Sequence, residues 1–209
     1  MVLFRVGKRE GGCRMAWFAN FYEPMIRPLE AAVFRKIRKE IAGRAEGHVL
    51  EVGSGTGLNF AHYIHATHVA AIEPDEEMAK QSLGKIREAP VPITLYAASA
   101  EALPFPDHSF DAVVATLVFC TIPDPKLAFQ ELGRTAKPGA RLFLFEHVEM
   151  PGRRMANLQR TMTPAWSKVA GGCRLDRRSV AMAEQAGFRM IRSRSFARGL
   201  FVVAEFIND

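Results

Sequence analysis

From His48 onward, short apolar segments typical of strands alternate with segments of helical periodicity, and this alternation constrains the fold more than any other feature. Strands are predicted over residues 48–52, 68–72, 93–97, 111–117, 141–148, 188–196 and 200–207. Helices are predicted from Leu58 (a short one) and over residues 75–88, 126–136 and 178–186. The last two strands form a hairpin through a tight turn at Arg198-Gly199. Such alternation predicts an α/β fold, with a mostly parallel seven-stranded sheet and helices on both faces.

Length and apolar content favour a single domain over residues 1–209. The chain has 209 residues, of which 48% are hydrophobic, enough for one sizeable core. Residues 1–42 are predicted to form a helical cap, because apolar side chains recur there at helical spacing between the breaks at Pro24 and Pro28. Residues 151–174 interrupt the alternation and are predicted to be an insert that covers an acceptor site, with apolar side chains at near-helical spacing.

Composition excludes several classes of protein. No apolar run approaches the ~20 residues that cross a bilayer, and the first residues lack the continuous apolar core of a signal peptide. The net charge of +6 comes mostly from arginine. This surplus is compatible with an ordinary soluble surface, which we favour, and with peripheral contact to a membrane or another anionic partner. We expect a cytoplasmic location.

The most informative stretch is Glu51-Val52-Gly53-Ser54-Gly55-Thr56-Gly57, which closes the first predicted strand. Its glycines allow the backbone to turn sharply and to approach a ligand without a Cβ in the way. Glu73 ends the next strand, where a carboxylate can accept hydrogen bonds from both ribose hydroxyls of a nucleoside. Together these features predict a nucleoside-containing ligand.

A nicotinamide dinucleotide fits this loop poorly. The dinucleotide fingerprint G-x-G-x-x-G needs its third glycine where this chain has Leu58, and Gly57 falls one residue early. Glu51 at the loop entrance can attract an ammonium group, directly or through water. S-adenosylmethionine carries an ammonium and no pyrophosphate, so it fits the loop better.

The chain resembles the class I S-adenosylmethionine-dependent methyltransferases, whose fold is Rossmann-like. Beyond the glycine loop, the matching segments are 100–105 (AEALPF), 109–113 (SFDAV) and 137–139 (KPG). A narrower resemblance, to the methyltransferase-like family of alkyl-thiol S-methyltransferases and its bacterial relatives, rests on segments 116–121, 146–148, 163–166 and 172–173. Animal members carry an N-terminal membrane anchor, which we do not expect in this chain.

The resemblance implies a binding site for S-adenosylmethionine and its product S-adenosylhomocysteine. The implied cofactor residues are Glu51, Gly53, Ser54, Gly55 and Gly57 at the methionine end, Glu73 and Pro74 at the ribose, Ser99, Ala100 and Glu101 at the adenine, and Thr116 and Leu117 beneath the sulfonium. The family usually has Gly-Asp where this chain has Ala98-Ser99. We therefore expect Ser99 to replace the missing carboxylate as a weaker hydrogen-bond acceptor.

The chemistry of methyl transfer demands little of the protein. The leaving group of a sulfonium is already activated, so the enzyme mainly positions and desolvates the reactants, and no catalytic triad is visible. His147, after the fifth strand, is the candidate general base, although a structural role is equally compatible with its position. The Asn/Asp-Pro-Pro-Tyr/Phe motif of many amino-group methyltransferases is absent, which makes nucleic acid an unlikely partner.

Cysteine and histidine positions leave one alternative open. Cys120, Cys173 and His147 could supply three ligands to a metal, but no CxxC pair or zinc spacing is present. We therefore predict no metal and treat the two cysteines as small buried side chains. His62, His65 and His68 are predicted to be surface residues, because His68 begins a strand and the three cannot share one helix face.

These features predict a methyltransferase that acts on a small, apolar or lipid-like acceptor, with a thiol favoured. The alternatives are a phosphatidylethanolamine-type N-methyltransferase, a ubiquinone or menaquinone type of C-methyltransferase, and a protein that binds the cofactor without catalysis. The intact loop with Glu51 and Glu73 argues against the last.

Overall fold

A seven-stranded sheet forms the centre of the molecule. The computed structural model describes residues 30–209. The order across the sheet is β3-β2-β1-β4-β5-β7-β6. The strands are β1 Glu46–Val52, β2 His65–Ile72, β3 Ile93–Tyr96, β4 Phe110–Thr116, β5 Ala136–His147, β6 Phe188–Phe196 and β7 Phe201–Asn208. All seven predicted strands are therefore confirmed.

The first five strands are parallel, and β7 runs antiparallel between β5 and β6. The chain leaves β1 in one direction to β2 and β3 and later returns to β4 on the other side, so the strand order reverses at β1. Ligands of open α/β sheets bind at the carboxyl ends of the strands at such a point. The fold thus places the end of β1 and the end of β4 at the expected site.

Five α-helices accompany the sheet in the described residues: α1 Arg35–Ala42, α2 Glu76–Glu88, α3 Pro125–Thr135, α4 Arg153–Val169 and α5 Ser179–Gln185. A π-helical turn, Glu30–Phe34, leads into α1. Asp75 caps α2 by accepting a hydrogen bond from Met78 N, and Asp124 caps α3 in the same way through Lys126 N and Leu127 N. The predicted cap over residues 1–42 lies partly outside the described residues, and only its part from Glu30 onward can be compared.

Three local predictions need correction. The helix predicted from Leu58 is only a 3₁₀ turn, Phe60–His62, because β2 begins at His65 and leaves no room for more. His65, not His68, begins the second strand, because His65 already pairs with Glu46 of β1. The hairpin between β6 and β7 is a 3₁₀ turn, Ala197–Gly199, rather than a two-residue turn.

The core consists of two apolar layers, one on each face of the sheet. One layer holds Phe110, Phe119, Phe129, Phe188 and Phe206, to which α3 and α5 contribute. The other holds side chains of α1 and α2 with aromatic residues from the strands and loops: Phe34, Ile37, Ile41, Phe60, Tyr63, Ala79, Phe143 and Phe145. The prediction of helices on both faces is therefore confirmed.

Helix α4 occupies much of the predicted insert. It is amphipathic with its large apolar side chains on the exposed face instead of the buried one. Its inward face is small or polar, with Ala156, Gln159 and Thr163 buried. Its outward face carries large apolar side chains, each at least 37% exposed: Met155, Leu158, Met162, Trp166 and Val169. Among residues 30–209, no helix combines the length and apolar character needed to cross a bilayer.

Part of the arginine surplus is used inside the fold. Glu205 of β7 is buried, and its carboxylate accepts hydrogen bonds from Arg44 at 2.7 Å, Arg141 at 2.7 Å and Arg192 at 2.7 Å. Each of these guanidinium groups is partly exposed. These three arginines therefore bind a carboxylate of the same chain.

Candidate active site

A cavity of about 560 Å³ opens at the carboxyl ends of the central strands. One side of it is formed by the glycine loop after β1 and by the end of β2. The other side is formed by the loop after β4, the end of β5 and the segment that follows α4. Its lining residues include Phe34, Arg38, Gly53, Ser54, Gly55, Glu73, Pro74, Ser99, Ala100, Thr116, Leu117, Cys120, His147, Trp166, Cys173 and Phe201. The cavity is therefore large enough for a nucleoside and a second small molecule together.

The glycine loop takes a conformation that depends on its glycines. Gly53, Gly55 and Gly57 all have positive φ, at 61°, 54° and 79°. A Cβ on Gly53 would lie 2.1 Å from Val118, whereas a Cβ on Gly55 would meet nothing within 4 Å. Gly55 thus faces open space in the cavity, while Gly57 packs against Phe60 and does not line it.

Glu73 connects the glycine loop to the end of β2. Its carboxylate accepts hydrogen bonds from Gly55 N at 2.8 Å and Asp75 N at 2.9 Å. Burial raises the pKa of Glu73 to about 7, although these two hydrogen bonds oppose the increase. Each carboxylate oxygen has a further lone pair, so the group can still accept from a diol in the cavity.

The loop after β3 arranges Ser99 as an acceptor. Ser99 Oγ donates to Glu101 Oε2 at 2.7 Å, and Glu101 Oε1 accepts from Asp124 N at 2.7 Å. Ser99 lines the cavity and Glu101 does not. Because the hydroxyl proton of Ser99 is directed at Glu101 and its oxygen accepts a long hydrogen bond from Glu101 N at 3.4 Å, one lone pair remains for an amino group in the cavity.

A buried polar network lies beneath the glycine loop. Arg38 Nη1 donates to Thr116 Oγ1 at 2.8 Å and to Asn59 Oδ1 at 3.1 Å, and Asn59 Nδ2 donates to Glu51 Oε1 at 2.9 Å. Burial raises the pKa of Glu51 to about 7. Glu51 does not line the cavity, so any influence it has on a ligand passes through Asn59, Thr116 or a water molecule.

Arg38 is a site residue that the sequence analysis missed. It is only 3% exposed, lines the cavity and belongs to α1, at the edge of the predicted cap. A signal was present, because Arg38 shares the helix face of Phe34, Ile37 and Ile41. A charged side chain among apolar ones on the buried face of a helix needs a polar partner in the interior.

The loop after β4 is held in a strained conformation. Leu117 has φ of 55°, which is uncommon for a residue with a branched side chain, and its N–H donates to Phe145 O at 2.7 Å. The next two N–H groups, of Val118 and Phe119, donate to Glu146 Oε1 at 2.9 and 3.2 Å. Glu146 is fully buried, and burial raises its pKa to about 7. This role of Glu146 has no local sequence pattern, because its contacts join segments 27 and 28 residues apart.

His147 lies against two cysteines at the far end of the cavity. His147 Nε2 is 3.2 Å from Cys173 Sγ, and Trp166 Nε1 donates to the same sulfur at 3.3 Å. The ligand atoms of Cys120, His147 and Cys173 all lie within 4.8 Å of one another. Cys120 is buried, as expected, whereas Cys173 is partly exposed, and the fold brings both of them to one histidine.

The pKa values of the two cysteines in this cluster shift in opposite directions. The pKa of Cys173 is lowered, first by its contact with Cys120 and then by His147 and Trp166. The same contact and burial raise the pKa of Cys120 well above its usual range. Burial alone would lower the pKa of His147, but Cys173 outweighs burial and raises it. These shifts favour the ionised form of Cys173 over that of Cys120.

The structure brings most of the predicted site residues to one cavity. Lining it are Gly53, Ser54, Gly55, Glu73, Pro74, Ser99, Ala100, Thr116, Leu117 and His147. Glu51, Gly57 and Glu101 lie behind the lining and support it instead. The histidines predicted at the surface do not join the site: His68 is bonded to Thr94 Oγ1 at 2.9 Å, and His65 is exposed.

Comparison with known proteins agrees with this geometry. The family model of the methyltransferase domain matches residues 50–144, which span the strands from the glycine loop to β5. Thiol S-methyltransferase TMT1B of Rattus norvegicus is 30% identical over 196 residues, covering 87% of this chain and 80% of the relative. A phosphatidylethanolamine N-methyltransferase of Cereibacter sphaeroides is 35% identical over 103 residues, covering 48% of this chain and 51% of the relative.

A solved structure shows the same fold at lower identity. An S-adenosylmethionine-dependent methyltransferase from Aquifex aeolicus superimposes with a TM-score of 0.64 and 21% identity, over 93% of this chain and 98% of the other. The alignment with TMT1B spans most of both chains and includes the glycine loop and its acid. The chain belongs to the class I S-adenosylmethionine-dependent methyltransferases and is an enzyme of that family.

Proposed function

We propose that this enzyme binds S-adenosylmethionine and methylates the sulfur of a small apolar thiol. The observation that carries the proposal is the single cavity, in which the glycine loop and Glu73 face an apolar end that contains His147. The similarity to a thiol S-methyltransferase over most of both chains supports the same acceptor.

The cavity has the groups that this methyl donor needs. Ser54 Oγ is buried and has no hydrogen-bond partner in the described part of the chain, so it is free for a polar ligand group. Gly53, Ser54 and Gly55 would hold the amino-acid end, Glu73 the ribose hydroxyls, and Ser99 the adenine amine. When bound, the donor supplies a methyl group on a positively charged sulfonium.

The remaining work of the protein is to position the acceptor and to exclude water. Trp166, Leu200 and Phe201 line the cavity and make part of its wall apolar. His147 Nε2 already faces Cys173 Sγ, so a thiol proton could pass to this nitrogen only after that contact breaks. His147 is thus poorly placed to act as a simple general base.

Helix α4 suggests how an apolar acceptor reaches the cavity. Its outward side chains Met155, Leu158 and Met162 are exposed, and Trp166, near its end, is both exposed and part of the cavity lining. Arg153 and Arg154 begin the helix. An exposed apolar stripe with basic flanks is typical of helices that lie on a membrane surface, so we include peripheral membrane contact in the proposal.

A second candidate acceptor is the amino group of phosphatidylethanolamine. It is favoured by the 35% identity to such an N-methyltransferase, although over only half of each chain. The exposed face of α4 is compatible with either acceptor.

The two acceptors can be separated by product analysis. The enzyme would be incubated with S-adenosylmethionine and either alkyl thiols of increasing chain length or phosphatidylethanolamine vesicles, and the products identified by mass spectrometry. We expect S-methyl thioethers, formed faster as pH rises and the thiol ionises. Methylated lipid amines without any thioether would overturn the proposal in favour of the second candidate.

Binding of the donor is tested separately by calorimetry. S-adenosylhomocysteine should bind and NADH should not, because the loop has Leu58 in place of the third glycine of a dinucleotide site. Comparable or tighter binding of NADH would contradict the cofactor assignment.

A further inference from the structure

Three potential metal ligands converge at the acceptor end of the cavity. They come from three separate segments: Cys120 follows β4, His147 ends β5, and Cys173 follows α4. Backbone hydrogen bonds fix the two cysteine segments to each other and to α4, with Arg174 N donating to Cys120 O and Cys173 N to Ala170 O, each at 2.9 Å. The three side chains are therefore held together by the fold rather than by chance contact at the surface.

The spacing of the three ligand atoms suits a tetrahedral ion. Zinc bonds to sulfur at about 2.3 Å and to imidazole nitrogen at about 2.0–2.1 Å, which places neighbouring ligand atoms about 3.5–3.8 Å apart. In this structure Nε2 of His147 is 3.2 Å from Sγ of Cys173, and all three atoms lie within 4.8 Å of one another. Nε2 of His147 and Sγ of Cys173 would have to move apart by roughly 0.3 Å to share one ion at these bond lengths.

The surroundings of the cluster favour a cation. Trp166 Nε1 donates to Cys173 Sγ at 3.3 Å, the kind of outer contact that orients a metal-bound thiolate. Glu146, adjacent to His147, is buried, and its Oε2 has no hydrogen-bond partner in residues 30–209. Two thiolates would neutralise the charge of a bound Zn²⁺ ion, so the site would place no net charge beside this buried carboxylate.

We propose that Cys120, His147 and Cys173 bind one Zn²⁺ ion whose fourth position is open to the acceptor thiol. All three residues line the cavity, and three protein ligands with one open position are typical of catalytic rather than structural zinc. The proposal rests on the proposed function for the identity of the acceptor. It assigns His147 to the metal in place of the role of general base.

The reaction is balanced without any further reactant. The thiol loses its proton to solvent as its sulfur binds Zn²⁺, and the metal keeps the sulfur as a thiolate at neutral pH. A lone pair of this sulfur forms the new S–C bond to the methyl group. The old C–S bond breaks, and its electron pair stays on the donor sulfur, which becomes neutral. A thioether binds zinc more weakly than a thiolate, so the product can leave.

Cobalt is the probe for the site. Protein that has been reduced and stripped with a chelator would be titrated with Co²⁺ without oxygen. We expect one Co²⁺ per chain, with a thiolate-to-cobalt charge-transfer band and the visible bands of tetrahedral cobalt, and displacement of Co²⁺ by Zn²⁺. Cys120→Ser, Cys173→Ser and His147→Ala should each weaken binding by about 100-fold or more, since even outer contacts to a metal site are worth 10–100-fold.

Two matched variants control for unrelated ligands. His65→Ala removes an exposed histidine, and Cys13→Ser removes the remaining cysteine. Both should keep one Co²⁺ per chain, and circular dichroism should show that all variants fold. Loss of binding in Cys13→Ser, or unchanged binding in folded Cys173→Ser, would overturn the assignment of the ligands.

The open position is tested by adding an alkyl thiol to the cobalt protein. The charge-transfer band should become stronger as a third sulfur binds, and an unchanged spectrum would overturn the proposal. Absence of Co²⁺ binding while the stripped enzyme still methylates thiols would also overturn it and leave the proposed function intact. Conversely, cobalt binding without any thiol methylation would support the metal site and contradict the proposed acceptor.

Discussion

Glu73 is the single residue on which the donor site depends most directly. Its carboxylate lines the cavity and joins Gly55 N to Asp75 N, so it both shapes the glycine loop and faces the cavity. Burial of such a group is unfavourable unless donors surround it, and two ribose hydroxyls would add to the two backbone donors.

We predict that Glu73→Ala weakens binding of S-adenosylhomocysteine by at least about tenfold. Hydrogen bonds to a charged group contribute about 1.5–3 kcal/mol each, and about 1.4 kcal/mol corresponds to one decade of affinity. Calorimetry on the folded variant measures the loss. Glu77→Ala, which removes an exposed carboxylate of α2 nearby in sequence, should leave the affinity unchanged. Equal affinities for wild type and a folded Glu73→Ala would show that the ribose lies elsewhere.

The same carboxyl group should make binding dependent on pH. Its pKa in the free enzyme is raised to about 7 by burial. Donation from ribose hydroxyls favours the ionised form, so the pKa falls in the complex, and affinity must decrease as pH drops below about 7. The decrease approaches tenfold per pH unit until the lower pKa of the complex is reached.

Methylthioadenosine is the best ligand for measuring this dependence, because it has the ribose but neither the carboxylate nor the ammonium of the full cofactor. Titration between about pH 5 and pH 8, from roughly two units below the raised pKa to roughly one unit above it, should show the effect in the wild type. Glu73→Gln should abolish it. A slope that persists in this variant would assign the titration to another group, such as Glu51.

At this scale the sequence predicted the glycine-loop end of the cavity better than the end that holds His147. Gly53, Gly55 and Glu73 could be identified because a loop and the strand next to it are close in the chain and carry a local pattern. Cys120, His147 and Cys173 belong to three elements that only the tertiary fold brings together. The apolar helix face of Arg38 was visible in the sequence, but its buried partners Asn59 and Thr116 are 21 and 78 residues away and were not.

At the scale of elements, helix α4 has one face fixed to the rest of the fold and one apolar face exposed to solvent. Its inward face is fixed to the fold by Gln159, whose amide contacts Met150 N, Val148 O and Leu175 O at 2.7–3.1 Å. Its outward face exposes Leu158 at 49% and Met162 at 48%. A helix that is anchored by a buried amide can expose an apolar stripe without losing its position.

We predict that α4 mediates binding to lipid vesicles. Sedimentation with anionic vesicles should carry the enzyme down, and a Leu158→Glu, Met162→Glu double variant should weaken this by about tenfold or more, since burying each of these side chains is worth about 1.5–3 kcal/mol. Added salt should weaken binding only partly, because the apolar contribution is not screened. An equal exchange at exposed Ile64 and Ile191 provides the control. No sedimentation of the wild type would exclude membrane contact by this helix.

Strand boundaries show what local pattern cannot decide. The strand predicted over residues 141–148 begins at Ala136 in the structure, because Ala136 pairs with Phe110 across the sheet. The segment Lys137-Pro138-Gly139 correctly marks the end of helix α3. It does not delay the next strand, because these three residues already belong to β5. By contrast, the continuous apolar run of β4 predicted a central buried strand without ambiguity, and its side chains are almost all buried.

At the scale of the whole molecule, Glu205 joins parts of the chain that are distant in sequence. Its partners Arg44, Arg141 and Arg192 come from the loop before β1, from β5 and from β6. The carboxylate is only 4% exposed, whereas the arginines are 35–57% exposed. Removing the single negative charge would leave three positive charges close together.

We predict that Glu205→Gln destabilises the fold by about 2 kcal/mol, a drop in Tm of about 6 °C for a chain of this size. The full cost of breaking a buried ion pair is discounted here because water screens the partly exposed arginines. Asp209→Asn, which breaks an exposed pair with Arg189, should leave the Tm nearly unchanged, because water screens this pair. Calorimetric unfolding of both variants compares them, and similar Tm values would mean that the cluster adds no stability.

The strained backbone of Leu117 affects how this enzyme can gain thermal stability under selection. A non-glycine residue with φ of 55° stores strain of order 1–3 kcal/mol, and this one sits directly beneath the cavity. Exchange for glycine would relieve that strain and at the same time free the loop that carries Cys120. Directed evolution for heat resistance would thus select Leu117→Gly, a substitution that raises thermal stability and lowers catalytic turnover. Natural lineages that keep a bulky side chain there would be those in which turnover mattered more.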